Sequence, residues 1–586
     1  AMSQVSEPDV LHLDAHLMFT QLTEDVQPEA VAVIMTQLSL RAGLREWDKE
    51  ARQAARAEMN QLHMRGTFKP VKISDLTDTE RASILESHMF LKQKRDNSIK
   101  GRTVAGGNKQ RDFISKEDAS SPTVATESVL LTCAIDAQEG RDVAVIDIPN
   151  AFIQTKAEQP EEQVLLRLRG LLADLLVEID PDSYKDYVTK DKKGESVLIV
   201  RCLNAIYGTM IASLLYYRKF RKTVETNGFT VNSYDPCVAN KVVEGKQQTI
   251  CWHVDDCKIS HLDYGVNSGF IEVLRQEYEN IFEDGTGKMT VHRGKKLKYL
   301  GMDLDFTTKG VCKVTMPEFT KELLATWDSV APEEKGTREV TCAAPKDLFT
   351  VNDNAEKLSQ VKKEKFHSIV AKILFATKRA RPDTGTAISF LTTRVKAPDV
   401  DDWRKLSHLM RYISSTQDLP LILGADGTGI LKWYVDGSYT VHPDMRGHTG
   451  GGLTLGRGFP VSASTKQKMN TRSSTESELV GVDDLMPSIL WTRLFLEEQG
   501  YAVNENIVFQ DNKRAILLER NGKASSSKRT KHINIRYFFV TDMVKKGKVT
   551  PTRCPTADMI GDFWTKPTQG SLFRKHRDLI MGVEPK

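Results

Sequence analysis

Two groups of carboxylates stand out, each placed where a strand end or a helix start could hold it. In the first, Asp147 closes the apolar run Val143-Ala144-Val145-Ile146, and Asp255-Asp256 follow Cys251-Trp252-His253-Val254. Adjacent carboxylates repel, and gathering them without a counter-charge is costly. A divalent cation supplies that charge, and oxygen donors suit magnesium. Two such ions about 3.5–4 Å apart activate an attacking hydroxyl and stabilise the departing group. Asp-Asp alone is a common turn between strands, so its surroundings have to decide. In the second group Asp436 ends Trp433-Tyr434-Val435, Asp511 ends Val508-Phe509-Gln510, and Asp562 lies in Ile560-Gly561-Asp562-Phe563-Trp564. Glu476 and Glu478 open a helical stretch behind the capping cluster Ser473-Ser474-Thr475. Residues two apart on a helix point about 200° apart, so only one of these glutamates can join the aspartates.

The elements that must position these groups show as patterns. Residues to about 95 read as helices, with Ala, Met and Leu at helical spacing from Trp47 to Leu62. Short β-branched runs take over near Lys100: Thr103-Val104-Ala105, 142–147, 197–200, 238–243 and 249–254, with 204–225 helical in length. Residues 270 to 430 mix helices with strands around 299–306 and 311–314. From Leu431 a new unit runs strand (432–434), glycine-rich strand pair (449–455, 460–463), long helix (474–499), strand (506–509), two helices and a strand near 548–553. A chain of 586 residues exceeds one compact core. The expected division is 1–270, 271–430 and 431–586, with an α+β multidomain fold.

Composition narrows the class without naming it. With 40% hydrophobic, 27% charged and 7% aromatic residues the chain reads as globular. No apolar run approaches the roughly 18 residues of a membrane span, and the start lacks the order of a signal peptide. An intracellular protein without membrane contact is expected. The eight cysteines form no Cys-x-x-Cys pair and are expected as free thiols. A net charge of +4 is weak, but basic residues cluster at 292–298, 378–381 and 528–532, where they could follow phosphates or simply face solvent.

The local strings resemble the reverse transcriptases and ribonucleases H of copia-type LTR retrotransposons, over most of residues 40 to 575. Asp147-Ile148-Pro149-Asn150-Ala151-Phe152 resembles polymerase motif A, and His253-Val254-Asp255-Asp256 the Tyr-Val-Asp-Asp box with His253 replacing tyrosine. Leu203-Asn204-Ala205-Ile206-Tyr207-Gly208 is similar to the Leu-x-x-x-Tyr-Gly segment, and Lys100-Gly101-Arg102-Thr103 to the fingers strand, whose basic side chains meet the triphosphate. Tyr299-Leu300-Gly301-Met302 resembles the primer-grip hairpin, and Thr377-Lys378-Arg379-Ala380-Arg381-Pro382-Asp383 the Thr-Arg-Pro-Asp segment. Phe152 falls where related polymerases set an aromatic ring beneath the incoming sugar. One departure is Thr209-Met210-Ile211, where the family has Leu-Lys-Gln; the role of that glutamine toward the nucleotide is left vacant at Ile211 or filled by another residue. In the last unit, Ser-Ser-x-Glu-x-Glu resembles the family pattern, which carries the catalytic glutamate onto Glu478. The segment Lys528-Arg529-Thr530-Lys531-His532-Ile533 resembles the Arg-Thr-Lys-His-Ile signature.

This resemblance implies a right-hand polymerase of fingers, palm and thumb, a connection, and a ribonuclease H-like α/β domain with a mixed sheet. It implies polymerase metals on Asp147, Asp255 and Asp256 and nuclease metals on Asp436, Glu478, Asp511 and Asp562. Each site would take two Mg2+, with Mn2+ as a substitute. Lys100, Arg102 and Phe152 would meet the dNTP, and Tyr299, Leu300 and Gly301 the primer. Arg529 and Lys531 would hold the RNA–DNA hybrid, and His532 would either join them or pack structurally. The implied partners are an RNA template and a DNA or RNA primer, and the implied workplace is the cytoplasmic virus-like particle. Without protease, integrase or zinc-knuckle motifs, the chain reads as the C-terminal piece of a longer polyprotein. Two other readings stay open: a degenerate copy serving as a non-catalytic RNA-binding or particle protein, and a lone metal nuclease on a helical scaffold. Carboxylates kept at both sites speak against the first, and polymerase motifs in order against the second.

Overall fold

The run Val143-Ala144-Val145-Ile146 is buried throughout, as a strand covered on both faces must be. It forms the strand Asp142–Asp147 inside a six-stranded antiparallel sheet. Its neighbours are Thr290–Arg293 on one side and Asp256–His261 on the other, and Lys246–His253 and Val238–Val243 follow outward. The helices Thr126–Glu139, Ala212–Thr226 and Tyr264–Tyr278 add Leu131, Tyr216, Phe220 and Leu274 to the core of this sheet. The computed structural model describes residues 38–93, 97–107, 110, 120–281, 287–334, 340–522 and 534–584.

A seven-stranded sheet gathers Leu85–Gln93, Ile99–Ala105, Leu165–Arg169 and Ser196–Cys202 around the long helix Leu40–Met64, with a core of its own. The helical expectation up to residue 95 therefore fails at Leu85–Gln93. Its Leu, Met, Glu and Lys favour a helix locally, but pairing with Ile99–Ala105 from Ser87 to Gln93, and with Leu165–Arg169 at Leu85 and Glu86, overrides that preference. The helix expected from Asn204 begins only at Ala212, because Gly208 sits at φ 87°. A Cβ there would lie 2.2 Å from the Ala105 carbonyl oxygen, so glycine alone lets Tyr207-Gly208 pass beneath the strand.

A five-stranded sheet joins Lys296–Tyr299, Met302–Asp305 and Cys312–Thr315 to Leu421–Ala425 and Gly456–Arg457. The last sheet is mixed. Ile430–Ser438 pairs antiparallel with His448–Thr454, which pairs with Val461–Lys466, and parallel with Glu505–Gln510, which pairs parallel with Thr550–Arg553. The helix Ser474–Glu498 packs on it. The chain is thus a mixed α+β protein with several sheets. One continuous apolar core runs from Val124 to Met581. All eight cysteines are free and buried. Among the described residues no helix is long and apolar enough to cross a membrane.

Candidate active sites

Asp147 and Asp256 are direct cross-strand partners, which sets their side chains on one face of the sheet. His253 pairs with Asp256, leaving Val254 and Asp255 as a two-residue hairpin turn. Val254 has φ 56°, a conformation that suits glycine or asparagine and strains a β-branched residue. Its side chain packs against the main core, which holds the turn in that shape. The Ile148 amide donates to the Asp255 carbonyl at 3.0 Å, tying the Asp147 strand end to the turn. The carboxylates feel one another. Partial burial, then Asp255, raises the Asp147 pKa, against Lys100 and His292. Asp256 is pushed up to about 6 by burial, then by Asp255 and Asp147.

Tyr299 was expected to meet nucleic acid, and its burial corrects that. It is 2% exposed, and its hydroxyl donates to the carbonyl oxygens of Cys251 (3.2 Å) and Asp256 (3.4 Å). It braces the aspartate hairpin from below. What reaches the surface is the turn after it, Leu300 at φ 49° and Gly301 at φ 79°, joining two paired strands.

Lys100 and Arg102 lie exposed on alternate positions of one strand, hence on one face. The Arg102 guanidinium stands 4.5 Å from the centre of the Tyr207 ring. That ring in turn lies 5.0 Å from Phe152, whose other aromatic neighbour, Tyr216, is 6.1 Å away. Phe152 is half-buried and shares a small apolar cluster with Ile211, Ala205, Ala212 and Leu215. Ile211 therefore spends its side chain on packing beside Phe152. Glu58 was not foreseen, because it sits among regularly spaced charges of a helix. Its carboxylate accepts the Thr103 amide at 2.8 Å and anchors the basic strand. Burial raises its pKa against the pull of that bond and of Lys100 and Arg102.

In the mixed sheet Asp436, Glu478 and Asp511 each offer an oxygen within 4.8 Å of the others. The approach of the Ser474–Glu498 helix to the sheet depends on Gly437, where a Cβ would lie 2.2 Å from the Ser477 carbonyl oxygen. The Gly437 amide donates to Glu478 at 3.1 Å. Glu476 turns the other way and accepts the Arg472 amide at 2.7 Å, within the helix cap. Asp511 accepts the Thr556 hydroxyl at 3.0 Å. Asp562 is not one of the close three. Its carboxylate meets Lys566 at 2.6 Å, and the same ammonium lies 3.7 Å from Asp436, which also accepts the Thr565 hydroxyl. Burial, then Asp436 and Asp511, lifts the Glu478 pKa well above its ordinary value. Burial, then Asp436, pushes Asp562 up to about 6. Lys566 escaped sequence reasoning; the spacing Asp562-x-x-x-Lys566 was its only signal. Arg529, Lys531 and His532 lie outside the described residues. Built of oxygens alone, both carboxylate sets have the donor chemistry of a hard divalent cation such as Mg2+ or Mn2+, and in the second, where Asp436 and Glu478 are buried, three acids converge within 4.8 Å.

No protein-family model matches the chain. It is 22% identical over 575 residues to the Retrovirus-related Pol polyprotein from transposon TNT 1-94 of Nicotiana tabacum, covering 96% of this chain and 39% of that one. It is 25% identical over 482 residues to the corresponding polyprotein from transposon RE2 of Arabidopsis thaliana, and 24% over 488 residues to that from RE1 of the same plant. These alignments cover 82% and 83% of this chain and 30% of each relative. The chain thus spans well under half the length of these relatives. A solved structure of prototype foamy virus protease–reverse transcriptase aligns with a TM-score of 0.26 at 11% identity, over 88% of this chain and 54% of that one. That likeness is too slight to bear on the fold. The relatives are copia-type retrotransposon Pol polyproteins and cover most of the chain, as the motifs implied.

Proposed function

We propose that this chain, a stretch similar to retrotransposon Pol polyproteins, copies RNA into DNA and hydrolyses the RNA strand of the resulting hybrid. One observation carries the reading: a single chain holds two separate carboxylate sets, Asp147 and Asp256 paired across adjacent strands beside Asp255, and Asp436, Glu478 and Asp511 with oxygens within 4.8 Å of one another. The sheet of Asp147, Asp255 and Asp256 is then the palm, and the sheet around Leu40–Met64 the fingers. Residues 271–430 supply primer grip, thumb and connection, and 431–586 the ribonuclease H.

Paired divalent cations, Mg2+ or Mn2+, would supply the charge that lowers the pKa of the attacking hydroxyl or water and stabilises the leaving oxygen. The chain's own residues do the rest. Asp147, Asp255 and Asp256 would hold the polymerase ions, while Lys100 and Arg102 face the phosphates of the dNTP. Phe152 floors the sugar, and the Leu300-Gly301 turn lies against the primer. Asp436, Glu478, Asp511 and Asp562 would hold the nuclease ions, and Arg529, Lys531 and His532 would follow the hybrid backbone. The workplace in this reading is a cytoplasmic virus-like particle. Extension of a labelled DNA primer on an RNA template, with release of RNA fragments, tests the reading. A protein that binds the hybrid but does neither is a degenerate copy.

A further inference from the structure

We propose that Lys566 is a built-in counter-ion of the second carboxylate cluster. Its ammonium holds, in the metal-free protein, the place between Asp436 and Asp562 that a second divalent cation would take, and it leaves when that cation binds. The inference rests on the nuclease reading and concerns how that centre is loaded.

The geometry divides the cluster in two. Asp436, Glu478 and Asp511 converge on one position, with oxygens within 4.8 Å of one another. Asp562 stands apart and meets Asp436 through Lys566, at 2.6 Å and 3.7 Å. Asp436 is therefore shared, between the converging oxygens and the ammonium. Its side chain is 1% exposed and that of Asp562 12%, so neither can relax into water. Two such acids side by side need a positive charge between them. Lys566 supplies it, which is more than an i,i+4 pair on a helix surface does.

The lysine is also built to leave. Its side chain is 46% exposed, and the Lys566 amide is bonded to the Asp562 carbonyl at 2.9 Å. The side chain can swing into solvent with that backbone bond kept. A cation bound at the usual magnesium–oxygen distance of about 2.0–2.1 Å to both acids cannot share the space with an ammonium. The two positions then differ in kind: a cation at the first meets the oxygens of Asp436, Glu478 and Asp511, and one at the second has to displace a lysine. The acids stay neutralised in place before metal arrives, and the second ion binds more weakly than the first.

The test uses the full chain with Asp147, Asp255 and Asp256 all changed to Asn, so that bound Mn2+ counted by electron paramagnetic resonance reports the nuclease centre. This parent should bind one ion tightly and a second about tenfold or more weakly. Lys566→Met should tighten the second ion by about that factor. In EDTA the same variant should melt below the parent, and in Mn2+ the two should converge. Lys566→Arg should melt like the parent in EDTA. The inference is overturned if Lys566→Met changes neither the second affinity nor the EDTA melting point, or if it melts low, or stays unfolded, with and without Mn2+. Adding Asp511→Asn to the parent separates this from the nuclease reading. If that change removes no bound ion, the nuclease reading fails and the inference with it. If it removes the tight ion while Lys566→Met changes nothing, only the inference falls.

Discussion

Phe152 has Tyr207 and Tyr216 as its aromatic neighbours, 5.0 and 6.1 Å away, and rests on Ala205, Ala212 and Leu215. A ring so held is stiff enough to exclude a ribose 2′-hydroxyl by collision, which is discrimination by a built-in clash. Phe152→Val should raise the ratio of ribonucleotide to deoxynucleotide specificity constants by about tenfold or more, with a stability loss of about 1–3 kcal/mol. An unchanged ratio with a lowered melting temperature would leave Phe152 a packing residue only. Glu519 makes a separate prediction. It is 0% exposed, and burial pushes its pKa up to about 8, against Gln510 and Arg520. Between about pH 4.3, the unfolded value, and pH 8 the folded chain keeps a proton that the unfolded chain has lost. Stability therefore falls as pH rises through that window, by up to about 1.4 kcal/mol per unit from this group. Denaturant unfolding at pH 5, 6.5 and 8 should show a slope that Glu519→Gln flattens. An unaltered slope would mean the carboxylate finds a charged or donor partner when folded.

Among elements, the segment from Arg381 to Thr386 carries the short helix Asp562–Thr565. The Trp564 indole donates to the Pro382 carbonyl at 3.2 Å, and the Thr386 hydroxyl to the Phe563 carbonyl at 2.5 Å. Beneath it Arg381 and Asp383 form a buried two-pronged pair at 2.9 and 2.8 Å, with the Tyr412 hydroxyl donating to Asp383. Asp383→Ala strands a buried guanidinium and should cost about 3–5 kcal/mol, with hybrid cleavage falling before primer extension. The pair Arg381→Met/Asp383→Leu should cost much less than the sum of its parts, read by urea unfolding. Additive losses would contradict this. The Thr-Arg-Pro-Asp string was visible in the sequence, but its work as a platform was not, because Trp564 lies far along the chain. Lys566 was hidden for the same reason: its bond to Asp562 follows helical spacing, while its approach to Asp436 depends on the fold. The strand ending in Asp147 and the one stopping just before Asp511 were legible, since an apolar run that stops at a carboxylate marks the end of a strand, whereas Asp436, expected to close its strand, lies within Ile430–Ser438 and is 1% exposed. Leu85–Gln93 was not legible, because only its pairing partner makes it a strand.

On the scale of the molecule, the two carboxylate clusters share one continuous core. The far end of the Ser474–Glu498 helix meets the first sheet: the Trp491 indole donates to the Tyr234 carbonyl at 2.8 Å, and Asn232 to the Phe495 carbonyl at 3.2 Å. Beyond the helix, the Tyr501 hydroxyl bridges Arg141 and Glu139, at 2.7 and 2.8 Å. Leu421–Ala425 pairs both with Cys312–Thr315 and with Gly456–Arg457, across residue 430. A chain split at that residue should expose apolar surface on both pieces. Isolated 431–586 should therefore unfold at lower denaturant than the same region within the full chain, followed by Trp433 and Trp564 fluorescence. Equal midpoints would show that the nuclease sheet stands by itself.

If the two clusters serve two different reactions, single substitutions separate them. A labelled RNA template annealed to a DNA primer, with dNTPs and Mg2+, reports both at once through primer lengthening and RNA fragments. Asp255→Asn should abolish lengthening and keep cleavage of a preformed hybrid. Asp511→Asn should keep lengthening and abolish fragment release. Near-normal extension by the first variant, continued cleavage by the second, or loss of both reactions from either single change would contradict the account.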